Sequence, residues 1–435
     1  MVIVQPTAPM GIYGVISNKA HGHVVTTILL AMVAMMFTAV SYGRMARVYP
    51  SAGSAYTYVG QEMHAGLGYV VGWGMVMDYL LNPLICTAFC AKAAMNIIPG
   101  LNFYVWVLIF AAFFTWSNLR GVKTSAQLNE VLCVGMTIVV VIFLVSVVRA
   151  LWGVHHGPGF FIHPFYESDQ FSTSRVFAGT SVAVLSYIGF DAVSTLSEEV
   201  ENPRRNIMLA TVLVCIAAGV LSGIEVYAAQ LIWGSKPFPS DQVESAFSLV
   251  SRQAGGLILF QIVNFTLLIA NMGSGLCTQL AAGRLLYGMG RGNALPNSFF
   301  GVLEPKHRIP RNNIILIGLL ALTGAVVLEF FSRRLGGGAY EIGAQALNFG
   351  ALISFMGVNA ASAFYQWRHP ESRNISGLAV PVFGFLVCAM LWLNLSRPAL
   401  ILGSAWMIVG ITYGAIRTRG FRTALVSFDV PPDDL

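Results

Sequence analysis

The feature that most constrains this chain is a succession of apolar runs, most of them long enough to cross a lipid bilayer, separated by short polar connections. A span needs about 20 apolar residues. Such runs lie roughly at 24–46, 66–98, 103–118, 129–151, 175–200, 207–233, 256–289, 312–331, 341–366, 377–395 and 398–416. The bilayer interior offers no water to satisfy backbone N–H and C=O groups, so runs of this length must be helical. Only 10% of the residues are charged, against 56% hydrophobic, where soluble domains carry roughly a quarter charged. The fold class is therefore all-α and polytopic, with no room for a sizeable soluble domain. The net charge of +6 is scattered through the connections without a basic stripe. That pattern argues against nucleic acid as a partner and makes the charge a matter of membrane topology.

Ahead of the first full run, Met1 to Ser17 is apolar but carries Pro6-Thr7-Ala8-Pro9 and then Gly11 and Gly14. Two prolines three apart remove donors and clash with the preceding turn, so a helix must break there. No charged segment precedes them, and they sit where the apolar core of a signal peptide would be. The expectation is a partial first span, with the recorded sequence beginning in its middle, and twelve spans in all. Placing the connection between the second and third spans inside collects sixteen Lys and Arg on that side, Arg44 and Arg47 among them, against eight on the other. This excess predicts that both termini are cytoplasmic.

The sixth span is also interrupted. Tyr187 to Arg205 reads YIGFDAVSTLSEEVENPRR. Gly189 is an easy place to unwind a helix, and Asp191 is a charge deep in a hydrophobic span, a functional candidate by default. The first span enters from the inside and the sixth from the outside, and each breaks near its middle. Two such interruptions, five spans apart and oppositely oriented, predict an inverted-repeat secondary transporter. Broken helices expose free backbone groups and helix-dipole ends suited to small charged or zwitterionic solutes.

Other intramembrane polar residues add candidates. Asp78, Asn82 and Lys92 fall near one face of the third span; Asp78 is expected to face the bundle interior, and Lys92 either does so or snorkels outward. Glu225 in the seventh span is either an interhelical hydrogen-bonding group or part of transport. Asn264, Asn271, Ser274 and Thr278 recur at helical spacing in the eighth span and read first as interhelical glue. Gly68 and Gly72 predict close helix contact. Tyr187 and Phe190 could cap a site, with Trp73 or Tyr79 as its wall; an aromatic face suits a cationic solute. The six cysteines all lie in apolar runs and read as small buried residues. The eight histidines lie in loops or at ends, so neither a metal site nor a cofactor is expected.

Four segments in order, FTAVSYGRMARVYPSAGSAYTYV (37–59), GYVVGWGMVMDYLLNPL (68–84), GFDAVSTLSEEVENPRRNI (189–207) and GRLLYGMGRGNALP (283–296), resemble the amino acid–polyamine–organocation permeases, and among them the bacterial putrescine importers. The resemblance covers nearly the whole chain. It implies a LeuT-type fold: a first five-helix repeat over 1–151, an inverted second repeat over 175–366, two extra helices over 377–416 and a cytoplasmic tail over 417–435. It also implies alternating access, commonly driven by the proton gradient, in a cell inner membrane. By the same resemblance, Gly189, Phe190 and Asp191 correspond to the unwound part of helix 6 beside the substrate. Glu198 and Glu199 correspond to an acidic pair that would join Arg44 in an inner gate. The stretch Pro6-Thr7-Ala8-Pro9 stands where many amino acid members hold the substrate carboxylate on a glycine-rich turn, which is missing here. Gly11 stands where putrescine importers would have an acid.

The expected function is thus a proton-coupled or exchanging transporter of a small amine-bearing solute, an amino acid or a polyamine such as putrescine. Its substrate site would use Pro6, Thr7, Ala8, Pro9, Asp78, Tyr79, Asn82, Tyr187, Gly189, Phe190 and Asp191. Asp78, Asp191 or Glu225 would carry the coupling proton, with sodium left open. A transporter-like sensor, or a polytopic membrane enzyme, are the rival readings. The enzyme would need nucleophile, acid–base or metal groups converging near one interface, and no His pairs with an intramembrane Asp or Cys in the sequence.

Overall fold

The computed structural model describes residues 5–50, 53–120, 126–155, 157–196, 200, 202–239, 242–292, 294–305, 309–335, 338–369 and 375–418. Among these, eight helices are long and apolar enough to cross a membrane. The chain is an all-α, multi-pass membrane protein. In order, the helices are α1 (Tyr13–Ala20), α2 (Val24–Val48), α3 (Ser54–Glu62), α4 (Ala65–Ile97), α5 (Phe103–Leu119), α6 (Ala126–Leu151) and α7 (Thr173–Ala183). They continue as α8 (Pro203–Trp233), α9 (Ala246–Arg291), α10 (Asn297–Phe300), α11 (Arg311–Leu335), α12 (Gly338–Arg368), α13 (Ile375–Leu393) and α14 (Arg397–Arg417).

Local chemistry sets where these helices begin and end. His64 precedes α4 in an extended conformation and its ring accepts from the Gly66 N–H, while Asn102 does the same for Tyr104 ahead of α5. Both satisfy an amide that the first turn leaves without a partner. Pro203 opens α8, where its missing N–H costs nothing. Small residues then let the helices approach. A Cβ on Gly68 would fall 2.6 Å from Gly60 Cα, and one on Gly72 would meet the Tyr56 ring. The expected close contact at these glycines is therefore the packing of α3 on α4. Gly43 and Gly219 likewise admit Met208 and Met32 where α2 lies along α8.

The two expected interruptions are present. Residues 6–12 form turns ahead of the short α1. The sixth span ends as an α-helix at Ala183 and continues as two short 3₁₀ segments, Val184–Ser186 and Asp191–Leu196. The eighth span, expected from about 256, starts at a bend in α9: Gly256 has a non-helical φ of 74°, and a shorter helix from Ala246 precedes it. This first arm of α9 is a separate helix, made of residues too polar to read as part of a span. Around the core, Tyr42, Phe190 and Phe355 meet in edge and tilted contacts with centroids 5.1–6.0 Å apart. This cluster joins α2, the sixth-span break and α12.

Candidate functional site

Three elements converge on one small cavity. It is lined by Asp78, Tyr79 and Asn82 from α4, by Ile188, Gly189 and Asp191 from the sixth-span break, and by Thr278 from α9. The space open to the centre of a water molecule is about 10 Å³, room for roughly one water. The site is closed around almost nothing.

The break builds its own geometry. Gly189 has φ 113°, in the region where a side chain would be strained. That turn brings the Gly189 N–H to the Asp191 carboxylate, to which it donates at 3.1 Å. The Ser194 hydroxyl donates to the Asp191 carbonyl at 2.6 Å, fastening the next turn. Tyr79 reaches across from α4 to hydrogen-bond the Asp191 carboxylate. Asn82 Oδ1 accepts from Cys86 Sγ at 3.1 Å and from Thr278 Oγ1 at 3.5 Å, so α4 and α9 are tied at the cavity wall. Pro83 adds a backbone effect: lacking an N–H, it leaves the Tyr79 carbonyl without its α-helical donor.

Electrostatically the cavity is acidic. Asp78 and Asp191 are 5% and 4% exposed, and among the described residues no basic side chain lines the cavity. Two carboxylates removed from water together favour a bound cation or a proton. This arrangement can hold an ammonium group between carboxylates, with a phenol and an amide to complete its hydrogen bonds.

The other sequence candidates lie elsewhere. Tyr187 and Phe190 are fully buried but do not line the cavity; the Tyr187 hydroxyl donates to the Ile28 carbonyl at 2.8 Å, and Phe190 belongs to the aromatic cluster. Their contacts tie the break to α2 and α12. Pro6, Thr7, Ala8 and Pro9 form the first-span turns, and they are not in the cavity wall either. There the N–H groups of Ala8, Met10 and Ile12 already donate to the carbonyls of Gln5, Thr7 and Pro9. Glu225 is fully buried on α8, away from the cavity lining, and neither carboxylate oxygen has a hydrogen-bond partner among the described residues. Arg44 donates to the Gly377 carbonyl at 2.9 Å, while Glu198 and Glu199 lie outside the described residues.

Thr278 and Lys92 fall within the alternatives that their sequence reading left open. Thr278, read first as interhelical glue, does bond across helices, yet it is also part of the cavity wall. Its position level with Asn82 across two helices has no signature in the sequence. Lys92 does not snorkel freely outward. Its ammonium is held 3.1 Å from Glu329 and 3.8 Å from Glu244, over the Phe103 ring.

Comparison with known proteins gives the family of the chain. The amino acid permease family model matches residues 8–419. The low-affinity putrescine importer PlaP of Escherichia coli (strain K12) is 31% identical over 443 residues, covering 99% of this chain and 93% of that protein. The branched-chain amino acid permease BcaP of Lactococcus lactis is 24% identical, covering 89% of this chain and 85% of its own. Among solved structures, a manganese transporter from Eremococcus coleocola superposes with a TM-score of 0.56 over 95% of this chain and 92% of its own. At 12% identity that last likeness concerns the fold alone.

Proposed function

The chain belongs to the amino acid permease family and is a secondary transporter of a small amine- or amino-acid-like solute, not an enzyme; we propose that this solute is a short diamine such as putrescine. The observation that carries the proposal is the meeting of Asp78 and Asp191 in one cavity with no basic lining residue. An α-amino acid brings a carboxylate that such a site would repel. The first-span turns offer little to offset this, because the N–H groups of Ala8, Met10 and Ile12 are spent on local carbonyls. A solute with ammonium groups and no carboxylate avoids the conflict. The putrescine importer of E. coli, similar over nearly its whole length, supports the same reading.

In this reading Asp191 and Asp78 hold one ammonium group, Tyr79 and Asn82 accept its remaining hydrogens, and Gly189 keeps the break open to substrate. Pro6, Thr7, Ala8 and Pro9 close over the substrate from the first-span break, with Tyr187 and Phe190 supporting the site from behind. The two broken spans belong to two inverted five-helix repeats, residues 1–151 and 175–366, followed by the pair 377–416 and a tail over 417–435. The protein sits in a bacterial inner membrane with both termini cytoplasmic, and Arg44 meets Glu198 and Glu199 in an inner gate. Coupling is to protons, with Asp78, Asp191 or Glu225 as the carrier. Uptake of labelled putrescine into proteoliposomes, with and without an imposed proton gradient, tests this directly. Gradient-driven uptake supports the reading, and competition by one class of amino acid without putrescine uptake sinks it.

A further inference from the structure

At the end of α4 remote from its start, Lys92 joins three elements that are distant in sequence. Its ammonium lies 3.1 and 3.4 Å from the two oxygens of Glu329 on α11. Glu244, on the short 3₁₀ turn Val243–Ser245 ahead of α9, stands 3.8 Å away on another side. The two contacts are unequal. Lys92 is 34% exposed, Glu329 3% and Glu244 18%, so Glu329 is the buried partner at short range and the Lys92–Glu244 contact is the longer and wetter one. Looser, wetter pairs cost less to part.

Glu244 is carried by a separable piece of chain. The turn leads into the first arm of α9, residues 246–255, which meets the rest of α9 at the non-helical Gly256. This arm is seated against α1: Gly14 lies so close to the Val243 carbonyl that a Cβ there would clash with it, and the Tyr13 and Phe247 rings meet edge-on at 5.7 Å. On its other side it is pinned to α4 and α9, for Ser248 donates to Asn264 Oδ1 at 3.1 Å and Asn96 donates to the same oxygen at 3.2 Å. The arm therefore bridges the half-helix beside the first-span break to the helix that carries Asp78. With room for about one water in the cavity, no solute passes unless such a bridge parts.

We propose that Lys92 is a positioning residue for transport: together with the buried Glu329 it latches Glu244, and this latch holds the α9 arm closed until the Lys92–Glu244 contact breaks in each cycle. Glu329 anchors the lysine throughout. Gly256 is the hinge, since its backbone conformation is one that other residues rarely adopt. The proposal rests on the transporter reading and is independent of which amine is carried.

The test reads access to the cavity. Cys86, whose thiol donates to the cavity residue Asn82, is kept as the sole cysteine and labelled with a membrane-impermeant thiosulfonate from each face of the membrane. Glu244→Gln is expected to raise the labelling rate about fivefold or more from one face only. Lys92→Arg, which keeps the charge, is expected to label at close to the parent rate. Lys92→Met strands Glu329 and can fail to fold, so Glu244→Gln carries the test. An unchanged labelling rate in Glu244→Gln, or an equal rise from both faces, overturns the latch. Putrescine uptake is measured beside it: failure of uptake in the parent speaks against the diamine reading and leaves the labelling comparison standing.

Discussion

Trp73 and Trp406 hold each other by exchange: the indole N–H of each donates to the backbone carbonyl of the other, at 2.9 and 3.0 Å, with the rings stacked 4.9 Å apart. One lies on α4, a turn before Asp78, and the other on α14. The Tyr69 hydroxyl adds a bond to the Gly410 carbonyl at 2.8 Å. The helix that carries the site is thereby fixed to the last helix of the bundle. Trp406→Phe removes one donor and leaves a carbonyl without its partner, at a cost of about 1 kcal/mol or somewhat more. The expected result is a thermal midpoint lowered by a few degrees in detergent, with KM for the transported amine unchanged.

Asp191→Asn and Asp78→Asn keep shape and hydrogen bonding while removing one charge each. Each is expected to cut amine uptake by roughly 150-fold or more, the scale set by breaking a buried ion pair at about 3 kcal/mol. The amount of folded protein in the membrane should stay the same. Wild-type uptake by the Asp191 variant would remove that carboxylate from the site.

Pro83→Ala restores an N–H to α4 and so gives the Tyr79 carbonyl its helical partner. A proline inside a helix costs about 3 kcal/mol. The variant should therefore melt higher than the parent while its KM for substrate rises several-fold. A change in stability alone would mean that the freed carbonyl plays no part in binding.

Glu225→Gln substitutes a neutral isostere for a carboxyl group with no hydrogen-bond partner among the described residues. If Glu225 is the proton carrier, the variant should still exchange labelled amine across the membrane but lose gradient-driven accumulation. Retained accumulation would leave the coupling proton to Asp78 or Asp191.

How far the sequence reveals this molecule depends on the range of the physics involved. Apolar length decides the spans within a single segment, so α2, α4 and α8 were legible. The breaks were legible too, because proline and glycine act on their own turn. Asp78 and Asp191 stood out one at a time, as charges in apolar runs. The sequence reading places both in one substrate site, but that they line a single cavity is a product of packing between helices more than a hundred residues apart. Thr278 and the partners of Lys92 were hidden for the same reason: Glu329 lies 237 residues from Lys92. The first arm of α9 was missed because its polar residues read as a connection, although the Gly255-Gly256 pair marked the bend. Tyr187 and Phe190 read as a possible cap because aromatic side chains suit both packing and binding; in the structure they are buried beside the break and outside the cavity lining.

The near-empty cavity has a consequence for the membrane as a whole. A chamber with room for about one water leaves no space between its lining residues for a column of waters along which protons could run. A cell relying on its membrane potential can keep many copies of such a carrier idle without dissipating that potential. Insulation of the resting membrane thus follows from the same closure that makes the site wait for its solute.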